Sequence, residues 1–299
     1  MNREFLDFLK MNDVEYKKDA LLSKISPIRI GAEADLIAYP DSEIKLIELV
    51  QLLEKTKTPY KILGRMSNML PPDEKYEGVI VRTDRICGLQ ISGNVLDVYA
   101  GASMPSVALH LRDVGLSGFE GLSGIPGSIG GAIVGNAGAF GREISHLLLS
   151  VKAYDIGSDA IVYLSNDECR FCYRDSVFKT NRLIILSARF LLTKSDSTII
   201  DAEMRRCREI RQRTQPTDKP SLGSAFKRPA PDISAARLID ECGLKGYVIG
   251  GARVSTKHAG FIINDGRATA DDYIELLKYI QKCVFEKYKI QLKPEVEIM

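Results

Sequence analysis

The stretch GIPGSIGGAIVGNAGAFG, from Gly124 to Gly141, holds seven glycines in eighteen residues and no charged side chain. It does not suit a membrane-spanning helix, because Pro126 and the frequent glycines disfavour a helix, and Ser128 and Asn136 interrupt its apolar face. A flexible linker is also disfavoured, because linkers seldom carry isoleucines among their glycines. The stretch therefore predicts a folded loop whose bare backbone approaches another group closely and can turn N–H groups toward an anion.

The composition of the chain is that of an ordinary soluble globular protein, with 45% hydrophobic and 27% charged residues among 299. This length allows two or three domains. The net charge of +2 gives no support for nucleic acid or a membrane surface as a partner, so we expect neither. The N-terminal MNREFLDFLK lacks the continuous apolar core of a signal peptide, and we expect a cytoplasmic protein.

Cysteine spacing gives little sign of a metal site. Of six cysteines, Cys169 and Cys172 form one C-x-x-C pair, and no second pair follows at zinc-finger spacing. The three histidines lie far from this pair in sequence. We expect reduced, partly buried thiols and no metal.

The order of short apolar runs predicts three regions. Residues 1–85 alternate strands with a helix capped by Asp41 or Ser42, residues 86–197 are rich in strands, and residues 198–299 begin with a charged helix. In the first region we predict strands at 35–40, 60–64 and 78–82, and a helix within 41–57. In the second we predict a helix at 103–114 and strands at 96–101, 147–155, 160–164 and 182–192. In the third we predict helices at 201–213, 232–242 and 271–288, with strands at 247–251 and 259–264.

The glycine stretch matches neither common phosphate-loop motif. No Gly-Lys-Ser/Thr follows it, and its pattern G-x-x-G-x-x-G-G differs from the dinucleotide fingerprint G-x-G-x-x-G. The spacing is compatible with a pyrophosphate cradle but does not name the ligand. A second candidate loop, LGRMSNML (63–70), offers a tight turn at Gly64 and short polar side chains at Ser67 and Asn68. An ordinary connecting loop remains the alternative there.

Three further segments concentrate residues that can carry chemistry. Arg174 beside Asp175 lies between aromatic residues, Ser224 precedes a lysine and an arginine, and Glu295 follows a proline near the C-terminus. Each has a plain structural alternative: a surface ion pair, a turn cap and a solvated strand residue, respectively. The segments are CYRDSVFK (172–179), SLGSAFKRP (221–229) and LKPEVEIM (292–299).

Taken in order, these motifs resemble one family over nearly the whole chain, from PIRIGAEADLIAYP (27–40) to the C-terminus. The succession ILGRMSNML, GLSGIPGSIGGAIVGNAGAFG, YRDSVFK, GSAFKRP, GLKGYVIGGARVSTKHAGFIIN and PEVEIM is similar to the UDP-N-acetylenolpyruvoylglucosamine reductases. The spacing looks like the shorter of the family's two subtypes. These flavoenzymes carry out the second committed step in making the bacterial cell-wall precursor, reducing an enolpyruvyl ether to UDP-N-acetylmuramate.

The resemblance implies an α+β fold of the vanillyl-alcohol-oxidase-like (PCMH-type) kind. Residues 1–85 and 86–197 would be the two FAD-binding subdomains, and residues 198–299 a third, substrate-binding α+β domain whose last residues return to the active site. It also implies FAD as cofactor, NADPH as hydride donor and a UDP-sugar as substrate. We expect a monomer or a weak homo-oligomer.

The resemblance assigns roles residue by residue. Arg174 and Glu295 would hold the carboxylate and the anionic intermediate, and Ser224 would donate a proton. The residues implied for the substrate are Tyr173, Lys227, Arg228 and Lys245. The residues implied for FAD are Gly64, Ser67, Asn68, Gly124, Pro126, Gly127, Ser128, Gly130, Gly131, Asn136 and Gly138.

Three positions depart from the pattern usual in this family. Met66 stands where glycine is expected before Ser-Asn, Ala32 stands where a second glycine is usual, and Arg228 stands where asparagine is usual. Two other readings stay open: another oxidase of the same flavoprotein superfamily, and a flavin- or nucleotide-binding relative without the original turnover. The intact Arg174, Ser224 and Glu295 favour an active reductase.

Overall fold

The computed structural model describes residues 3–180 and 182–299, and the chain divides into two compact units. Unit 1 comprises Met1–Lys18, Asp35–Arg65 and Glu77–Glu209. Unit 2 comprises Asp19–Ala34, Met66–Tyr76 and Ile210–Met299. The three-domain division at residues 85 and 197 stays a prediction.

The described chain contains both helices and strands, which confirms the predicted mixture of both. The α-helices are α1 (Arg3–Met11), α2 (Glu43–Lys55), α3 (Met104–Asp113), α4 (Ile129–Val134), α5 (Ser197–Thr214), α6 (Ala235–Glu241) and α7 (Ala270–Tyr288). The strands are β1 (Glu15–Leu21), β2 (Glu33–Tyr39), β3 (Tyr60–Leu63), β4 (Met69–Leu70), β5 (Tyr76–Arg82), β6 (Leu89–Ser92), β7 (Val95–Tyr99), β8 (Leu116–Ser117), β9 (Gly138–Ala139), β10 (Arg142–Glu143), β11 (Leu148–Asp155), β12 (Ala160–Ser165), β13 (Leu183–Leu191), β14 (Thr193–Lys194), β15 (Ser221–Ser224), β16 (Val248–Ile249), β17 (Ala252–Val254), β18 (Phe261–Asn264) and β19 (Glu297–Ile298). Short 3-10 turns lie at Leu22–Lys24, Glu120–Leu122, Ile144–His146 and Val177–Thr180.

Unit 1 contains two larger sheets, besides the two-stranded pairs β9–β10 and β8–β14. One has four strands in the order β1-β2-β5-β3, with β3 and β5 parallel, so that Tyr60 lies opposite Val79. The other is an antiparallel sheet in the order β12-β11-β13-β7-β6. Alternating burial along β13 places Ile185 against one apolar cluster and Ile184 against another, so this sheet separates two cores.

The predicted elements of unit 1 are largely confirmed. Helix α2 begins after Ser42, whose side-chain oxygen accepts a hydrogen bond from the Lys45 N–H at 3.3 Å. Helix α3 occupies the predicted span after Ser103. The sequence reading missed α1, whose buried Phe5 and Leu9 are one helical turn apart.

The glycine stretch is not a loop throughout. Six of its residues form α4, and the side-chain oxygen of Ser128 caps the helix by accepting the Gly131 N–H at 3.3 Å. Intrinsic propensity opposes a helix at Gly130 and Gly131, but Ile129 and Ile133 are fully buried. Burial of the apolar face therefore outweighs the low propensity of this segment.

Unit 2 combines a small sheet with two helices. Its strands have the order β15-β18-β17-β16, and β19 pairs in parallel with β4. Helix α7 buries Leu277, Ile280 and Val284 of its predicted stripe, while Ile274 is partly buried. The described residues include no helix both long and apolar enough to cross a membrane.

Two helix boundaries in the last hundred residues were wrong. Helix α5 begins at Ser197, four residues before the predicted start, because the Asp196 carboxylate accepts the Thr198 N–H at 2.7 Å. The hydrogen bond from the Thr198 hydroxyl, followed by the one from its N–H, lowers the pKa of Asp196. Helix α6 begins three residues late, because Ser234 caps it by accepting the Arg237 N–H at 3.3 Å.

Candidate active site

The first turn of the glycine stretch is fastened to the chain just before α3. The Gly130 N–H donates to the Ala100 carbonyl at 2.8 Å, and the Met104 N–H donates to the Gly127 carbonyl at 3.0 Å. A Cβ on Gly130 would lie 3.0 Å from the Ala100 Cβ. This glycine therefore serves close packing of two backbone segments, whatever it does toward a ligand.

The two predicted cofactor loops meet inside unit 1 at Gly64. A Cβ on Gly64 would lie 2.3 Å from the Ser128 Oγ, a separation that no real side chain tolerates. Gly64 therefore must be glycine for Ser128 to cap α4 as it does. The other predicted residues of this loop, Ser67 and Asn68, belong to unit 2.

Burial divides the predicted cofactor residues between Gly124 and Gly131 into two groups. Gly127, Ser128 and Gly130 are buried, whereas Gly124, Pro126 and Gly131 are exposed. Pro126 carries a ring and has no N–H, but the exposed glycines Gly124 and Gly131 carry no side chain. A phosphate group can therefore approach the main chain there without steric hindrance, which is the fit that a nucleotide cofactor requires.

Asn136 organises the second half of the glycine stretch. It lies in the left-handed region at φ 38° and is almost completely buried. Its side-chain nitrogen donates to Glu143 Oε2 at 2.9 Å and to the Cys172 carbonyl at 3.1 Å, and its oxygen accepts the Ser145 N–H at 3.2 Å. Its amide thus bonds protein groups on both ends, and contact with the cofactor stays a prediction.

Arg174 is attached to the same half of the glycine stretch. Its guanidinium donates to the Gly138 carbonyl at 3.0 Å and to the Asn136 carbonyl at 3.4 Å, and it lies 5.0 Å from the Tyr173 ring centroid. Arg174 has a positive φ of 56°, which marks a sharp turn. Nearby, the Ser176 hydroxyl donates to the Val134 carbonyl at 2.8 Å, at the end of α4.

Ser224 and Glu295 lie on adjoining segments of unit 2. Ser224 ends β15 opposite Phe261, and the next residue, Ala225, accepts the Glu295 N–H on its carbonyl at 2.9 Å. The Lys227 N–H donates to the Lys293 carbonyl at 2.9 Å, so the two segments run antiparallel. The structure therefore brings Glu295 onto the segment that carries Ser224 and Lys227, although these residues precede it by 71 and 68 positions in sequence.

Asn68 is bonded to this same pair of segments. Its side-chain nitrogen donates to the Glu295 carbonyl at 2.9 Å, and its own carbonyl accepts the Glu297 N–H at 3.0 Å. Met69 then pairs with Glu297 in the β4–β19 ladder. Sequence reasoning assigned Asn68 to the cofactor and missed this link, because no sequence signal relates residues 227 positions apart.

The remaining predicted substrate residues differ in their surroundings. Arg228 is exposed, and its guanidinium donates to the Pro231 carbonyl at 3.4 Å. Lys245 is exposed and pairs with Asp240 at 2.5 Å. Lys227 and Tyr173 are half-buried, and Tyr173 lies in unit 1 rather than unit 2.

The residues that depart from the family pattern differ in their structural surroundings. Met66 is 4% exposed and lies in the left-handed region at φ 56°, so it is neither solvent-facing nor relaxed. The Ala32 N–H donates to the Pro72 carbonyl at 2.9 Å, in a turn whose preceding residue, Gly31, has φ 120°. Backbone freedom is therefore required at Gly31, and of the three departing residues only Met66 has a positive φ.

One half-buried imidazole lies near the Ser224 segment. Burial, followed by the charge of Lys245, lowers the pKa of His258 below its usual value, against an opposing hydrogen bond. Its Nδ1 accepts the Gly260 N–H at 3.2 Å, which only an unprotonated nitrogen can do. The Gly260 carbonyl in turn accepts the Ala225 N–H at 2.8 Å.

Two family descriptions match successive parts of the chain. Residues 34–163 match an FAD binding domain, and residues 215–299 match the C-terminal domain of UDP-N-acetylenolpyruvoylglucosamine reductase. The first match contains Gly64 and the glycine stretch, and the second contains Ser224 and Glu295. Arg174 lies between the two matched ranges.

Curated relatives with the same description align along almost the full length. The UDP-N-acetylenolpyruvoylglucosamine reductase of Caldanaerobacter subterraneus subsp. tengcongensis is 41% identical over 278 residues, which is 93% of this chain and 91% of the relative. That of Fervidobacterium nodosum is 42% identical, covering 90% of this chain and 87% of the relative.

Solved structures agree with the fold. The UDP-N-acetylenolpyruvylglucosamine reductase from Thermus caldophilus superposes with a TM-score of 0.81 at 31% identity, covering 95% of this chain and 98% of that one. The glucose dehydrogenase Phl p 4.0202 shares only the fold, with a TM-score of 0.51 at 13% identity over 65% of this chain and 45% of its own. By full-length identity, matched domains and structure, this chain belongs to the UDP-N-acetylenolpyruvoylglucosamine reductase family.

Proposed function

We propose that this protein reduces the enolpyruvyl ether of UDP-N-acetylenolpyruvoylglucosamine to UDP-N-acetylmuramate, with FAD as cofactor and NADPH as reductant, in peptidoglycan precursor synthesis. The observation that carries the proposal is the pairing of the Ser224 segment with the Glu295 segment in a chain of this family. Overall, NADPH and one proton are consumed and NADP⁺ is released. The alkene gains one hydride and one proton, so its terminal carbon becomes a methyl group.

The residues proposed to hold FAD fit such a group. Gly124, Pro126 and Gly131 leave backbone accessible, and Gly64 permits close approach to the Ser128 side chain. When bound, FAD supplies the hydride equivalent that NADPH provides. The full set proposed for it is Gly64, Ser67, Asn68, Gly124, Pro126, Gly127, Ser128, Gly130, Gly131, Asn136 and Gly138.

The catalytic roles follow from where charge develops. After hydride addition, negative charge spreads over the carbon next to the carboxylate and over the carboxylate itself. Arg174 offers fixed cationic donors to this charge, and Glu295 would hold the intermediate only as a protonated carboxyl that donates a hydrogen bond, because two anions side by side repel each other. Ser224 donates the proton to the carbon, because a carbanion-like intermediate is a stronger base than an alkoxide. Lys227, three residues on, stabilises the transient alkoxide before solvent reprotonates it.

The UDP-sugar is proposed to contact Tyr173, Lys227, Arg228 and Lys245. A guanidinium at Arg228 suits a diphosphate, since it can offer two parallel donors where the usual asparagine offers neutral ones.

The three-part division at residues 85 and 197 remains our proposal for domain organisation. We also propose a cytoplasmic location, because NADPH and nucleotide sugars are cytoplasmic metabolites. The proposed oligomeric state is a monomer or a weak homo-oligomer.

The proposal is tested by product analysis with purified, FAD-loaded protein. We expect NADPH oxidation only when the enolpyruvyl substrate is added, one NADPH per substrate, and a product heavier by two hydrogens in the mass spectrum. NADPH-independent oxidation of an alcohol or sugar with oxygen would instead favour the oxidase alternative. Flavin binding without any substrate-dependent turnover would favour the altered relative.

A further inference from the structure

The main chain of Glu295 is held on both sides by hydrogen bonds. Its N–H donates to the Ala225 carbonyl at 2.9 Å, next to Ser224. Its carbonyl accepts the side-chain nitrogen of Asn68 at 2.9 Å. The first bond ties Glu295 to the residue beside the proposed proton donor, and the second ties it to a loop that the sequence assigns to the cofactor.

Three further contacts join the same loop to the C-terminal strand. The Glu297 N–H donates to the Asn68 carbonyl at 3.0 Å, and the Met299 N–H donates to the Leu70 carbonyl at 3.0 Å. The β4–β19 pair places Glu297 opposite Met69. These bonds use backbone groups that any sequence provides, whereas the bond from Asn68 to Glu295 depends on a side chain.

We infer that Asn68 is a positioning residue for Glu295, acting on the oxidative half of the reaction. This inference rests on the proposed function, since it assumes that Glu295 acts on the intermediate. Removing the Asn68 amide leaves the Glu295 N–H anchored but releases its carbonyl. The peptide between Glu295 and Val296 can then rotate, and the Glu295 side chain loses its orientation relative to Ser224.

The chain offers a matched control for the hydrogen bond from the Asn68 side chain to the Glu295 carbonyl. Gln281 donates its side-chain nitrogen to the Leu292 carbonyl at 2.8 Å, three residues before Glu295. The chemistry and the target segment are the same, but the bond lies outside the proposed site. Asn68→Ala and Gln281→Ala therefore remove equivalent hydrogen bonds at two different places.

The test follows the two half-reactions separately by flavin absorbance, with saturating FAD. For Asn68→Ala we expect reoxidation by the enolpyruvyl substrate to be slowed about ten- to a hundred-fold more than flavin reduction by NADPH is. For Gln281→Ala we expect the rates of both flavin reduction and reoxidation to stay within about two-fold of wild type. In a Glu295→Gln background, Asn68→Ala should cause little further slowing, because both changes act through one group.

Other results overturn the inference. An equal loss in both half-reactions, or weaker FAD binding with normal reoxidation at saturation, would make Asn68 only a cofactor contact. A full additional loss in the Glu295→Gln background would show independent action. Wild-type flavin that is never reoxidised by substrate would refute the proposed function instead. Amide hydrogen exchange tests the hydrogen bond from Asn68 to Glu295 in every case. Asn68→Ala should speed exchange of the amides that follow Glu295, at residues 296–299, and unchanged exchange there would refute the positioning role.

Discussion

Met66 is where a single residue most clearly departs from the family pattern, and two energies oppose each other there. The left-handed backbone costs a side-chain-bearing residue about 1–2 kcal/mol, which glycine would avoid. Truncating a buried methionine costs about 2–5 kcal/mol. Since Met66 is 4% exposed, the packing energy exceeds the strain.

We therefore expect Met66→Gly to lower the free energy of unfolding by about 1–3 kcal/mol, although it restores the residue usual in the family. Met66→Ala should be less stable than Met66→Gly by about 1 kcal/mol, because alanine loses the packing and keeps the strain. Urea denaturation of the three proteins measures both differences. A more stable Met66→Gly would mean that strain dominates and that the methionine packing adds little.

Tyr273 is a second residue whose environment yields a prediction. It is completely buried in the core of unit 2, its hydroxyl has no hydrogen-bond partner among the described residues, and burial raises the pKa of its phenol. A buried hydroxyl without a partner costs about 1–3 kcal/mol. Tyr154 is also buried, but its hydroxyl donates to Asp159 at 2.7 Å.

Tyr273→Phe should leave the free energy of unfolding unchanged or raise it by up to about 2 kcal/mol, whereas Tyr154→Phe should lower it by about 1 kcal/mol. Thermal and urea denaturation of both variants provide the comparison. A clear loss of stability in Tyr273→Phe would contradict this account of the unsatisfied hydroxyl.

At the scale of elements, helix α7 shows how capping fixes a boundary that periodicity gives only roughly. Asp272 accepts the Gly251 N–H at 2.9 Å and the Thr269 N–H at 3.1 Å, while its own N–H donates to the Thr269 hydroxyl at 3.0 Å. Asp73 accepts the Ala270 N–H at 2.8 Å. The apolar stripe predicted the bounds of α7 within one residue, but no sequence pattern predicted the hydrogen bond from the Ala270 N–H to Asp73.

The same cap predicts a pH dependence. The hydrogen bond from Gly251, followed by those from Thr269, lowers the pKa of Asp272, against an opposing effect of burial. A carboxyl whose pKa is lower in the folded state stabilises the fold above the unfolded value of about 4, and loses that contribution as the pH falls through the folded value. Asp272→Asn should therefore lose about 1 kcal/mol at neutral pH and show a flatter decline below about pH 4. Asp271→Asn, which changes an exposed neighbour, is the control. If the free energy of unfolding declined equally with acid in wild type and Asp272→Asn, the lowered pKa of Asp272 would be contradicted.

Element prediction succeeded where burial has a clear period and failed where tertiary contacts decide. The strands at β2, β3, β5, β11 and β13 and the helices α2, α3 and α7 follow apolar patterns visible in the sequence. Helix α4 did not, because burial of Ile129 and Ile133 outweighed its glycines. Strands β15 and β17 were missed because Leu222 is the one large apolar residue of β15 and β17 has three residues, so neither gives an apolar run in the sequence.

At the scale of the whole molecule, the order of motifs identified the family, but the sequence did not reveal which motifs meet. Ser224 and Glu295 are brought to adjoining segments of unit 2, and Arg174 is attached to the glycine stretch of unit 1. The first pairing depends on backbone hydrogen bonds, and the second on hydrogen bonds from the Arg174 guanidinium to main-chain carbonyls; neither leaves a local pattern in the sequence. The side-chain bond from Asn68 to Glu295 is of the same kind.

The most direct test of the central claim is an anaerobic absorbance experiment with the FAD-loaded protein. NADPH should bleach the flavin, and UDP-N-acetylenolpyruvoylglucosamine should then restore the oxidised spectrum. Ser224→Ala should bleach normally but recover about a hundred- to ten-thousand-fold more slowly, since it lacks the proton donor, whereas Ser221→Ala on the same strand should recover normally. A wild-type flavin that stays reduced in the presence of the substrate would contradict the proposed reaction, and normal recovery in Ser224→Ala would contradict the role given to Ser224.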